Sequence, residues 1–114
     1  MARYTRLVSR EERLAKNESV FREVNERIAE AAKRTLVLPD AEFLCECGRP
    51  ECLERVIVSL DDYESIRMHA DRFVLVFGHE QPEVDRVIDV GDDYVVVEKI
   101  GKAGEVSEEL DPRS

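Results

Sequence analysis

The sequence predicts an α+β fold: a long N-terminal amphipathic helix, then a small, mainly antiparallel sheet carrying one short helix and a cysteine-bearing turn. Three observations point there. Residues 10–38 contain neither glycine nor proline and repeat apolar side chains at alternating spacings of three and four. Further on, β-branched runs alternate with short turn signals rich in Gly, Pro and Asp. Three cysteines fall within the eight residues Cys45–Cys52. The 114 residues divide into a basic arm and long helix (1–35), an α+β domain (36–100) and an acidic, flexible tail (101–114).

The helix opens on Ser9-Arg10-Glu11-Glu12, a capping box in which the serine oxygen accepts a backbone N–H and Glu12 reaches back. Leu14, Asn17, Phe21, Val24, Ile28, Ala31 and Thr35 form a heptad-like seam over about 10–34, with Asn17 and Thr35 as its polar members. Glu18/Arg22, Glu23/Arg27 and Glu30/Arg34 are i,i+4 pairs expected on the outer faces. The seam can pack on the sheet or pair with a second copy, so self-association through this helix is open. Leu36 to Asp40 is a linker in which Pro39 ends the helix.

Phe43 to Cys47 reads as a short strand leading into the turn Gly48-Arg49-Pro50. Val56, Ile57 and Val58 mark the next strand, and Ser59 caps a short helix over about 60–69. Arg72 to Phe77 is apolar enough to be a central strand. Val84 to Val90 and Tyr94 to Ile100 flank Gly91-Asp92-Asp93, a hairpin signal. Beyond Gly101 no apolar period is visible, hence the tail.

Charge excludes some roles. The net charge is −9, but residues 1–34 carry nine Lys/Arg against six Asp/Glu, a net of +3, and the remainder carries −12. An acidic body repels phosphate backbones, so nucleic-acid binding is not expected of it. The basic N-terminal stretch (Arg3, Arg6, Arg10, Arg13, Lys16) is where an anionic partner could touch; a solvated helix face and arm explains it as well. No stretch approaches the roughly 20 apolar residues of a membrane span. An odd cysteine count without a signal-like N-terminus implies reduced thiols and a cytoplasmic location.

Thiols spaced C-x-C-x4-C imply a soft metal. In a strand Cys45 and Cys47 share one side while Glu46 points away, and the Gly48–Glu51 turn returns Cys52 toward them. Buried, inert cysteines are the alternative, but Glu46, Arg49 and Glu51 do not suit an apolar core segment. Zinc is expected, with an iron–sulfur cluster as a minor alternative. The spacing is similar to the zinc-binding post-SET segment of histone methyltransferases, over these eight residues alone and with no activity implied. Zinc takes four ligands, and the chain offers His69 and His79. His79 is preferred because it follows Gly78 at a strand exit, with Glu80 placed to orient its ring; His69 remains the alternative. Such a Cys3His site is closed and therefore structural, and no phosphate loop, H-E-x-x-H or nucleophile elbow accompanies it.

Phe43-x-Cys45-Glu46-Cys47 with Cys52, then Gly78-His79-Glu80, then Tyr94 to Lys99, together with Phe21 to Ile28, resembles a family of small uncharacterised bacterial proteins found mainly in actinobacteria. The likeness covers roughly 17–100 and supports His79 through its G-H-E motif. It implies no substrate, partner or reaction. The expected function is a zinc-stabilised, non-enzymatic cytoplasmic module that engages a protein partner. A thiol or metal sensor and, more remotely, a small zinc enzyme are the alternatives.

Overall fold

A computed structural model describes residues 10–35, 40–49, 51–111 and 113. The capping box at Ser9, the N-terminal arm, the linker at Leu36–Pro39 and Pro50 lie outside the described residues. The fold is α+β, in the order α1 (Arg10–Thr35), β1 (Asp40–Leu44), β2 (Arg55–Ser59), α2 (Leu60–Arg67), β3 (Arg72–Val76), β4 (Asp85–Val90), β5 (Tyr94–Lys99) and α3 (Gly101–Glu109). Two antiparallel sheets form, a β1–β2 pair and a three-stranded sheet in the order β3–β5–β4.

Alternation along β3 and β5 builds two cores, one on each face of the larger sheet. Val74 and Val96 join Phe43, Val56, Val58, Tyr63, Ile66 and Ala29 on one side. Phe43 and Tyr63 stack there with ring centroids 4.2 Å apart. Phe73, Leu75, Val95 and Val97 join Cys45 and Cys47 on the other, with Cys52 packed against them. Ser59 caps α2 as expected, its hydroxyl accepting the Asp62 N–H at 3.0 Å. The Gly91-Asp92-Asp93 turn does link β4 to β5, with a register shift between Val87 and Asp89.

Several expectations are corrected. The strand before the cysteines is Asp40–Leu44, so Cys45 and Cys47 lie just past its end rather than within it. β3 is apolar without being the middle strand, since β5 holds that place. The reason is that the cysteine segment covers the other edge of β3: Glu46 N–H donates to Val74 O at 2.9 Å, and Val76 N–H donates to Cys45 Sγ at 3.2 Å.

The buried face of α1 is only partly the apolar seam: Leu14, Phe21 and Ile28 are half-buried, with Ile28 packed against the core. Glu18, Ser19, Arg22, Asn25 and Ala29 are buried, whereas Asn17, Val24 and Ala31 are exposed. Glu18 and Arg22 therefore do not form an outer-face pair. Glu18 and Asp85 both take the buried Lys99 ammonium. Arg22 donates to Ala70 O at 2.5 Å and Arg72 O at 3.0 Å, with its guanidinium 3.7 Å from the Phe73 ring centre. Glu23 and Arg27 do pair on the exposed face, at 3.9 Å.

Residues 101–109 form a helix rather than a flexible tail. Ala103, Gly104, Val106 and Ser107 are buried, and α3 lies against α1. A side chain at Gly104 would stand 2.9 Å from Lys99 O, so glycine is what lets α3 fold back so closely. Asp111 then accepts from Arg67 at 2.5 Å, and Arg113 bridges Glu26 at 2.8 Å and Glu64 at 2.5 Å. Among the described residues no helix is long and apolar enough to cross a membrane.

Candidate metal centre

Four side chains from three segments converge where the cysteine turn meets the exit of β3. Cys45 follows β1 and is held by its own N–H to Glu54 O at 3.0 Å. Gly48, at φ +79, reverses the chain, and Cys52 N–H closes the turn onto Arg49 O at 3.0 Å. A second requirement fixes glycine there: a Cβ would lie 2.6 Å from Glu18 Cγ and 3.0 Å from Leu14 O of α1. From the other side, Gly78 at φ +92 turns the chain out of β3, and His79 N–H donates to Val76 O at 2.9 Å.

The donor atoms of Cys45, Cys47, Cys52 and His79 all lie within 4.8 Å of one another. His79 Nδ1 is 3.6 Å from Cys45 Sγ and 3.7 Å from Cys52 Sγ. A tetrahedral ion with metal–sulfur bonds of about 2.3 Å and a metal–nitrogen bond of about 2.0 Å separates S and N by about 3.5 Å. Both of these distances match that spacing, and the group of four could hold a metal ion. His69, exposed in the turn after α2, is not part of this group.

The second ring nitrogen explains which tautomer is present. His79 Nε2 lies 3.0 Å from Glu54 Oε2, an acceptor that favours a proton on Nε2 and leaves Nδ1 as the nitrogen facing the sulfurs. The carboxylate expected in this role was Glu80. Glu80 instead accepts the Gly78 N–H at 3.0 Å and so secures the turn that delivers the histidine. Glu54 went unrecognised in the sequence because it belongs to the cysteine side of the centre, remote from the G-H-E motif. Its distance of two residues from Cys52 was the available signal.

Charge within the cluster is uneven. The hydrogen bond from Cys45 lowers the Cys47 thiol to about 5, and the same bond, followed by burial, raises Cys45. Burial first and the neighbouring Cys47 sulfur second raise Cys52. Three sulfurs this close share less than three negative charges unless a cation joins them.

Glu46, between the first two cysteines, is fully buried and points away from them, between α1 and β3. Its carboxylate accepts the Val74 N–H at 3.0 Å, the Asn25 amide at 2.7 Å and the Tyr63 hydroxyl at 3.3 Å. Asn25 also takes the Leu44 N–H at 2.8 Å and donates to Leu44 O at 3.0 Å, as a neighbouring strand would. No separate sequence signal marks this role, since a polar residue inside a charged helix reads as solvated.

The chain matches no protein-family model, no curated protein and no solved structure. What the centre can do follows from its donors. Three thiolates and one imidazole suit a soft or borderline ion of tetrahedral preference, and four protein donors fill such a shell.

Proposed function

We propose that this chain is a small, non-enzymatic module whose Cys45/Cys47/Cys52/His79 centre binds one zinc ion that ties the cysteine turn to the exit of β3. One observation carries this: four donors of the right chemistry lie within 4.8 Å of one another, two of the sulfur–nitrogen distances at tetrahedral spacing, with the Glu54 carboxylate on the outward nitrogen of the histidine. Bound there, zinc supplies a positive charge that lets all three sulfurs stay ionised. With four protein donors no position is left for a water molecule, which favours a structural ion over a catalytic one. The acidic surface of a body carrying −12 over residues 35–114 suits engagement of a protein partner in the cytoplasm rather than nucleic acid.

Native mass spectrometry with metal analysis tests this directly. One zinc per chain is expected in the wild type and in His69→Ala, with weakened retention in His79→Ala. A wild type that binds no metal, or a His79→Ala that holds it as tightly, overturns the assignment. Cobalt substitution gives a second check: a four-coordinate spectrum indifferent to added anions is expected, and anion-dependent bands would point to an open, catalytic site.

A second use of the same centre is favoured by the exposure pattern. Cys45 and Cys47 are buried, but Cys52 is part-exposed. A peroxide could draw two electrons from two of the thiols, forming one disulfide and two waters and releasing the ion. Zinc retained with all three thiols unreacted after mild peroxide would dismiss this sensor reading.

A further inference from the structure

We propose that the metal centre governs the docking of α1: with the ion bound, the 44–48 segment holds the N-terminal half of the helix on the body, and loss of the ion frees that half while the β3–β5–β4 sheet stays folded. This rests on the zinc-binding function proposed above and adds a mechanical consequence to it.

The inference starts from the character of the docking face. A helix that docks through leucines gains from apolar burial and tolerates small shifts. The N-terminal half of α1 instead docks through Glu18, Ser19, Arg22 and Asn25. Its buried ion pairs, Lys99 with Glu18 and Asp85, give little net stabilisation over solvated charges, because desolvation offsets their attraction. Docking of this half therefore depends on its remaining contacts, which are those of Arg22 to Ala70 O and Arg72 O at the start of β3 and a second set at the metal turn. Asn25 clamps both backbone groups of Leu44, the residue before Cys45, and donates to Glu46, between Cys45 and Cys47. Gly48, the residue after Cys47, sits against Leu14 and Glu18.

Hydrogen bonds of this kind weaken steeply with small changes of distance and angle, so they persist only while the turn is held in place. The four ligands provide that constraint. Without the ion, no shared centre joins the three sulfurs to His79, and the turn loses that tie. The larger sheet depends on the turn less: the cysteines cover one face and the free edge of β3, but β3, β5 and β4 pair through their own backbones, and Val74 and Val96 face a separate apolar core. The C-terminal half of α1 also keeps separate anchors, from Glu26 to Arg67 and Arg113 and from Lys33 to Glu64. The freed half would present Glu18, Arg22 and Asn25, and would uncover the Phe73 ring beneath Arg22.

Hydrogen–deuterium exchange on the full chain, zinc-loaded and after chelation, tests this, with native mass spectrometry recording the metal in parallel. Chelation is expected to speed exchange over residues 14–25 on the order of tenfold or more, with little change in β5 and in the β3 amides paired to it. Asn25→Ala should bind one zinc but show fast exchange over 14–25 with or without it. Metal bound but exchange over 14–25 unchanged on chelation overturns the coupling and leaves zinc binding standing. Helix and sheet losing protection together also overturns it, leaving the ion a simple staple. A chain that holds no zinc overturns both.

Discussion

Glu54 and Glu18 show how single side chains set the chemistry of this fold. Glu54 fixes the tautomer of His79 from outside the cluster, so Glu54→Gln should weaken zinc retention by about 10-fold to 100-fold, the usual range for a carboxylate supporting a histidine ligand. A competition titration with a chromophoric chelator measures this; an unchanged affinity would mean that the ring needs no such partner. Glu18 is raised from 4.5 to about 8, chiefly by burial, with Lys99 partly opposing the shift. Because the folded-state value lies above the unfolded one, the protonated carboxyl favours the fold. That contribution is complete below pH about 4.5 and is lost as the pH rises through about 8. With zinc saturating, the thermal midpoint of the wild type should fall more between pH about 5 and about 8.5 than that of Glu18→Gln. Parallel profiles for the two would place the proton elsewhere in the Glu18/Lys99/Asp85 trio.

At the level of elements, α3 and the cysteine segment do work that their sequences conceal. α3 buries just two apolar side chains, Ala103 and Val106, and otherwise relies on the small residues Gly104 and Ser107 for close approach to its neighbours. Removing residues 101–114 should destabilise the protein by about 2–4 kcal/mol, from lost apolar burial and from buried Arg22 and Arg67 losing Asp111. Chemical denaturation of the truncated chain measures it, and a truly flexible tail would give no change. The cysteine segment acts as a partial fourth strand on β3. Gly48→Ala should cost about 1–3 kcal/mol, because it adds a positive-φ strain to a clash with Glu18 and the α1 backbone. A midpoint equal to wild type would show that α1 yields without cost.

For the whole molecule, a lean core gives the proposed ion a large share in stability. Seven aromatics, no tryptophan and a helix docked by charges leave little apolar surplus. A structural zinc site in a small domain contributes on the order of 10 kcal/mol of binding energy to the folded state. Chelation should therefore lower the thermal midpoint of the full chain substantially, and re-adding zinc should restore it. Equal midpoints for both forms would remove the structural role.

The α+β class, the helix near 10–34, the hairpin around Gly91 and the grouping of Cys45, Cys47 and Cys52 with His79 were legible from the sequence, because each depends on local period, turn chemistry or donor type. The face of α1 was not legible. Its apolar spacing pointed to Asn17, Val24 and Ala31, but a helix side is chosen by what lies opposite, and Lys99, Phe73 and Leu44 become its neighbours only after the chain has folded. The same reason hid Glu54 behind His79 and the helix in residues 101–109, whose small-residue face has no period to read. The sequence by itself determined the order of helices and strands up to Lys99 and the donor set of the candidate metal centre. Tertiary structure alone decided which carboxylate faces His79 and that α1 docks largely through charges, since each of these depends on contacts between residues far apart in the chain.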